Sequence, residues 1–211
     1  MNVSGAFQPH MMPPGSLPVR CHVLRPDQAT ILEDYLVQQL PHCYTTIQQI
    51  RDRIEETGLS AAEIVANKLP DPGAVMSGDF GEILALYFLS TERPEVTTLI
   101  RKWRYKQDRK KSAPLSDIVI LHRQNATTIS ENDYVICAES KQKATPGTFD
   151  PISKALEGYT EDNMGRLART LAWLREKAID QESRPAIDYI TRFTQAGEVP
   201  YKKRVLSLPS G

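Results

Sequence analysis

The sequence predicts a mixed α/β fold, an α+β layering in which helices come first, a strand meander follows and helices return. Three observations carry this. Apolar residues recur at helical intervals over 27–56, short apolar runs alternate at 115–122 and 133–142, and helical periodicity resumes at 151–179. The 211 residues fit one domain, or one domain with a small appendage. A content of 40% hydrophobic and 25% charged residues is that of an ordinary globular chain.

Each element has its own signal. Residues 1–19 hold Pro9, Pro13, Pro14 and Pro18 with few large apolar side chains, and read as a flexible arm. Residues 20–74 read as an N-terminal helical region. Asp27 caps a start, Ile31, Tyr35, Leu36, Ile47, Ile50 and Ile54 follow at helical spacing, and Pro41 divides the run into two helices. Ser60 and Glu63 form a capping-box pattern for a third, which ends before the turn at 70–73. Residues 75–211 read as the main domain. A strongly apolar helix covers 79–90, and strands are expected at 97–106, 115–122 and 133–142. Helix resumes at 151–179, bent at Gly158 or Gly165, with Met164, Leu167, Leu171, Leu174 and Ala178 as its buried stripe. A helix over 184–196 ends at Gly197, and 201–208 forms a last strand.

Composition excludes some classes. No run approaches the ~18 apolar residues of a spanning helix, so no membrane partner is expected. The first residues lack the charged n-region of a secretory signal. Cys21, Cys43 and Cys137 are too scattered for a disulfide framework, which points to a reducing cytoplasm. Cys21-His22 and His42-Cys43 match no common zinc spacing, and there is no Walker A sequence. No small-molecule cofactor is expected. The formal charge is zero, but it is uneven: residues 1–100 hold 6 basic and 12 acidic side chains, and 101–211 hold 20 and 14. A polyanion is therefore not excluded, and the C-terminal half is the place to look.

The chemistry sits on the two apolar strands. In 135–141, Val135, Cys137, Glu139 and Lys141 share one face. Asp117 opens the preceding apolar run, where an unpaired charge is costly. If the strands pair as an antiparallel hairpin, Asp117 comes beside Glu139 and Lys141. Two carboxylates at one point call for a cation. A hard ion such as Mg²⁺ binds carboxylates and phosphate oxygens together, and a lysine stabilises a phosphoryl transition state. The set reads as a phosphodiester hydrolase site. Two readings of Glu82 stand side by side: the N3 partner of an Asp79 cap, or a carboxylate facing the sheet with Ala85, Leu86 and Leu89. The stretch 101–111 holds seven basic residues and one acid. As a strand, it offers Lys102, Arg104 and Lys106 on one face for phosphates, followed by Arg109, Lys110 and Lys111, while Trp103 and Tyr105 face the core or stack on bases. Lys143, Lys154, Arg166, Arg169 and Lys202–Arg204 add basic positions, Arg166 and Arg169 on a solvated helix face.

Asp117 followed by Glu139 and Lys141, with a helical Glu82 upstream, resembles the PD-(D/E)xK nuclease superfamily. Ser116 stands where the motif name has proline. More narrowly, GDFGEILALYFL, PLSDIVIL and AESKQK resemble the HamA subunits of Hachiman antiphage defence systems over about 75–205. That resemblance implies a restriction-endonuclease-like core, a three- to four-stranded mixed sheet flanked by helices. It implies a DNA endonuclease effector acting with a HamB-like helicase; because a free nuclease would damage the host genome, restraint by that partner is expected. The resemblance makes Glu82, Asp117, Glu139 and Lys141 the catalytic set, with Mg²⁺ (or Mn²⁺) on the three carboxylates. The rival expectation is a catalytically silent DNA-binding or assembly subunit that docks a helicase.

Overall fold

The computed structural model describes residues 1–10, 20–96, 98–143, 145, 147–194 and 199–210. Two short strands, β1 (Phe7–His10) and β2 (Cys21–Leu24), pair antiparallel. The first ten residues are therefore packed rather than a free arm: Val3 and Ala6 are fully buried, and Ser4 N donates to Thr91 Oγ1 at 2.8 Å. Residues 11–19, with the other three prolines, lie outside the described residues.

Helices α1 (Ala29–Tyr44) and α2 (Ile47–Thr57) follow. Pro41 stays inside α1, and the break falls instead at Thr45. There Thr46 caps α2 in a capping box with Gln49, giving the new helix its own satisfied N-terminus. The box read at Ser60 and Glu63 is present and starts α3 (Ala61–Ala66). Helix α4 (Ala74–Thr91) begins five residues before the expected start.

Beyond α4, the expected strand at 97–106 is replaced. Leu99 makes a single bridge to Ile120, and Lys102–Tyr105 winds as a 3-10 turn. Alternating charged and aromatic residues fit a period of two on paper, but Lys102 and Trp103 both turn inward onto buried acid. The other strands form as expected. β3 (Ile118–His122) pairs antiparallel with β4 (Tyr134–Gln142), and β5 (Lys202–Ser210) pairs parallel on the far side of β4.

The parallel step requires a crossover, supplied by α5 (Pro151–Glu161), a π-helical turn at Asp162–Arg166, α6 (Leu167–Asp180) and α7 (Arg184–Thr194). The bend expected at a glycine falls at Gly165, which has φ 117°. Met164 escapes the buried stripe at this turn and is 83% exposed, whereas Leu167, Leu171, Leu174 and Ala178 are buried. Gly197 lies outside the described residues.

The sheet is covered on both faces, which explains its near-continuous apolar strands. Ile118, Ile120, Ile136 and Ala138 pack on Ile83 and Leu86 of α4, in a core that also takes in Leu32, Leu36 and Tyr44 of α1. Val119, Leu121, Val135 and Cys137 pack on α6 and α7. The buried Asp133 accepts from Gln124 N, Ser130 N and Arg192 Nε, tying the β3–β4 connection to α7. Among the described residues no helix is long and apolar enough to cross a membrane.

Candidate active site

The site forms where β3 begins and β4 ends. Register places Ile118 opposite Ala138, so Asp117 falls beside Glu139. Asp117 Oδ2 accepts from Ser140 N at 3.0 Å and from Lys141 Nζ at 3.1 Å. Lys141 Nζ also pairs with Glu139 Oε1. Asp117 and Glu139 are buried, while the Lys141 side chain remains 31% exposed and so faces the opening.

The two readings of Glu82 separate here. Helix α4 starts at Ala74, so Glu82 is mid-helix and caps nothing. Asp79 instead accepts from Tyr44 Oη at 2.8 Å and Lys106 Nζ at 2.7 Å. Glu82 Oε2 accepts from Trp103 Nε1 at 3.1 Å and lies 3.3 Å from Lys102 Nζ. The same ammonium donates to Ser116 O at 2.9 Å and lies 4.0 Å from Asp117 Oδ1.

On the far side stands Arg166, which the sequence places on a solvated helix face. The kink at Gly165, with φ 117°, precedes it and turns it inward. Its Nη2 donates to Glu139 Oε2 at 2.5 Å and to Gly158 O at 2.8 Å, and its Nε to Asp162 Oδ1 at 2.7 Å. Gly158 leaves room for the carboxylate: an added Cβ would stand 2.5 Å from Glu139 Oε1. Charges thus alternate along one row: Glu82, Lys102, Asp117, Lys141, Glu139, Arg166, Asp162. Glu82, Asp117, Glu139 and Lys141, named from the sequence, are brought together in this row. Sequence reasoning missed Lys102 as a counter-ion, Trp103 as a donor, Gly158 and Arg166. A glycine inside an otherwise helical pattern was the one available signal.

The row sets the protonation of its members. Burial, reinforced by Asp117, pushes Glu139 upward against Lys141 and Arg166. Burial works to lower Lys141, yet Asp117 and Glu139 hold it above the usual lysine range. Burial pushes Glu82 up to about 7; Lys102 opposes this, while Asp117 and Asp79 add to it. The folded-state value lies above the unfolded 4.5, so Glu82 favours the fold when protonated. That contribution is full below pH ~4.5 and is lost as pH rises to ~7. Relative to Glu82→Gln, the native chain should lose up to about 3 kcal/mol over this interval, as read by urea unfolding in EDTA. A constant difference between the two proteins across the interval would show that Glu82 is already ionised.

Donor chemistry at this site suits a hard divalent ion. Glu82 Oε1 and Asp117 Oδ1 accept no hydrogen bond among the described residues, and Glu139 stands next to them in the row. Among those residues, however, no three His, Cys, Asp or Glu side chains stand together as a ligand cluster. Ammonium groups separate the carboxylates, and an ion would enter in place of one of them.

The expected basic ribbon does not form. Lys102 serves the carboxylates, Arg104 donates to His42 O, and Lys106 pairs with Asp79. Arg109 pairs with Asp71 at 2.6 Å. Trp103 is buried and its indole is committed to Glu82, while Tyr105 packs edge-on against Trp173. Lys110 and Lys111 remain exposed, and Lys143 Nζ donates to Gly147 O at the end of β4. Lys202–Arg204 pair with Tyr134–Ile136, at the opposite end of the sheet from Glu139.

A model of the HamA family matches residues 13–208, nearly the whole chain. The chain belongs to the HamA family. Membership makes it a component of Hachiman antiphage defence, a setting that implies a partner. The match extends well upstream of the 75–205 region on which the resemblance rested, so the HamA family includes β2 and helices α1–α3 as well. No curated protein matches this HamA chain.

Proposed function

We propose that the chain is a Mg²⁺-dependent DNA endonuclease of the PD-(D/E)xK type, the effector of its defence system, acting with and restrained by a helicase partner. The observation that carries this reading is Lys141, a partly exposed lysine in contact with two buried carboxylates, one just before β3 and one on β4. Asp117, Glu139 and Glu82 would hold the ion, with Mn²⁺ as a substitute. When bound, that ion supplies charge neutralisation at the scissile phosphate and a more acidic water. Lys141, held protonated by its two acids, donates to developing negative charge and does not accept the proton. Arg166 and Gly158 fix the Glu139 carboxylate. Sequence-independent contacts with DNA fall to Lys110, Lys111 and Lys143, and to Lys68, which with Lys106 and Lys110 lines a cavity of about 360 Å³ beside Trp103.

One observation favours the rival, a catalytically silent DNA-binding subunit: the carboxylates are already neutralised by protein cations. Cleavage assays separate the two. The purified chain should cut plasmid DNA in Mg²⁺ and not in EDTA, should prefer DNA when RNA is also offered, and should be slowed by the helicase partner. Lys141→Ala should lose roughly 10²-fold or more in rate. Cleavage undiminished by that substitution, or none by the native chain under any of these conditions, overturns the nuclease reading.

A further inference from the structure

Lys102 is buried to a degree lysines reach only when fully partnered, with 4% of its side chain exposed. Its Nζ meets three oxygens: Glu82 Oε2 at 3.3 Å, Asp117 Oδ1 at 4.0 Å and Ser116 O at 2.9 Å. Two carboxylates and a main-chain carbonyl are the oxygen set that a hard divalent cation takes. The ammonium is a compact single charge in the same place. We propose that Lys102 is the resident cation of the Glu82–Asp117 side, and that a divalent ion reaches those oxygens only in competition with it.

The role rests on reading these carboxylates as a metal site, and it divides that site into two unequal halves. On the Glu139 side the interposed cation is Lys141, which is partly exposed at the end of a strand and has solvent to move into. On the Glu82 side the interposed cation is anchored in the Lys102–Tyr105 turn, next to the buried Trp103. Trp103 donates to the same Glu82 oxygen, so the turn presents two donors to one carboxylate. Withdrawing Lys102 means shifting the turn, and Arg104 ties that turn to His42 O of α1. Occupancy of the Glu82 half is thereby linked to the packing of α1, a helix that carries none of the four candidate catalytic residues.

The test is Mn²⁺ binding by calorimetry to the native chain and to Lys102→Met, with a melting curve of each in Mn²⁺ and in EDTA. Removing a fixed positive charge from this set should tighten Mn²⁺ binding at least about tenfold. Mn²⁺ should also raise the melting temperature of the variant more than that of the native chain. Should Lys102→Met fail to fold, Lys102→Gln retains a donor for Ser116 O without the charge, and the same shift is expected. Asp117→Asn in either background should abolish the binding. Equal affinity with and without Lys102 overturns its role and leaves the metal site standing. No Mn²⁺ binding by any of these proteins overturns the metal site, and the role of Lys102 with it.

Discussion

Asp117→Asn should lower DNA cleavage by about 10³-fold or more while leaving the fold intact. Asn is the informative replacement because of what Asp117 does locally. Its Oδ2 accepts from Ser140 N and from Lys141 Nζ. An amide oxygen accepts the same two bonds, so the β3–β4 junction stays satisfied; the charge is lost, and an amide nitrogen takes the place of Oδ1, which lies 4.0 Å from Lys102 Nζ. Alanine would leave a buried main-chain donor without its partner, at a cost of about 1–3 kcal/mol, and would mix instability with lost chemistry. Plasmid cleavage measured beside a melting curve checks the prediction. A variant that melts with the native chain and cuts at its rate would remove Asp117 from the chemistry altogether.

Gly158→Ala should lower cleavage by about 10²-fold and lower the melting temperature as well. Mid-helix alanine is favoured over glycine by about 1 kcal/mol, which offsets part of any strain. The new methyl, however, would occupy the place of the Glu139 carboxylate, 2.5 Å from Oε1. That carboxylate cannot simply rotate away, because Lys141 and Arg166 hold its two oxygens. It is displaced together with them, and misplacing a reacting group by ~1 Å costs on this scale. Rate and melting temperature should be measured on one preparation. An unchanged rate would mean that the position of Glu139 does not limit the reaction; a collapsed melting temperature would mean that α5 itself moves.

The sheet was legible where its pattern has one solution. Ile118–Leu121 and Val135–Ala138 are apolar on both faces because α4 covers one face and α6 and α7 the other. Strand period two then fixes that Glu139 and Lys141 point together, and antiparallel pairing brings Asp117 to them. The segment 101–106 had two solutions. Its charges and aromatics alternate, yet pairing Lys102 with buried acid outweighs extending the sheet edge. Arg166 was illegible for a related reason: the kink at Gly165, with φ 117°, redirects its side chain, and no ordinary helical wheel contains that step. The packed first strand was hidden by the proline content around it, although Val3, Ala6 and Phe7 supplied the apolar contacts.

The order of the strands has a consequence for how the molecule comes into being. Glu139 sits on β4, between β3, which is local in sequence, and β5, whose Ser207 is its register partner. All of α5 to α7 lies between β4 and β5 along the chain. Pairings between distant segments form late, since the connecting chain must first surrender its freedom. A chain in which β5 has not yet docked would hold the hairpin bearing Asp117 and Glu139 without the strand that stiffens β4. On the proposed nuclease reading, this order would be a safeguard in time: the cutting geometry would be complete only once the last strand has closed the sheet.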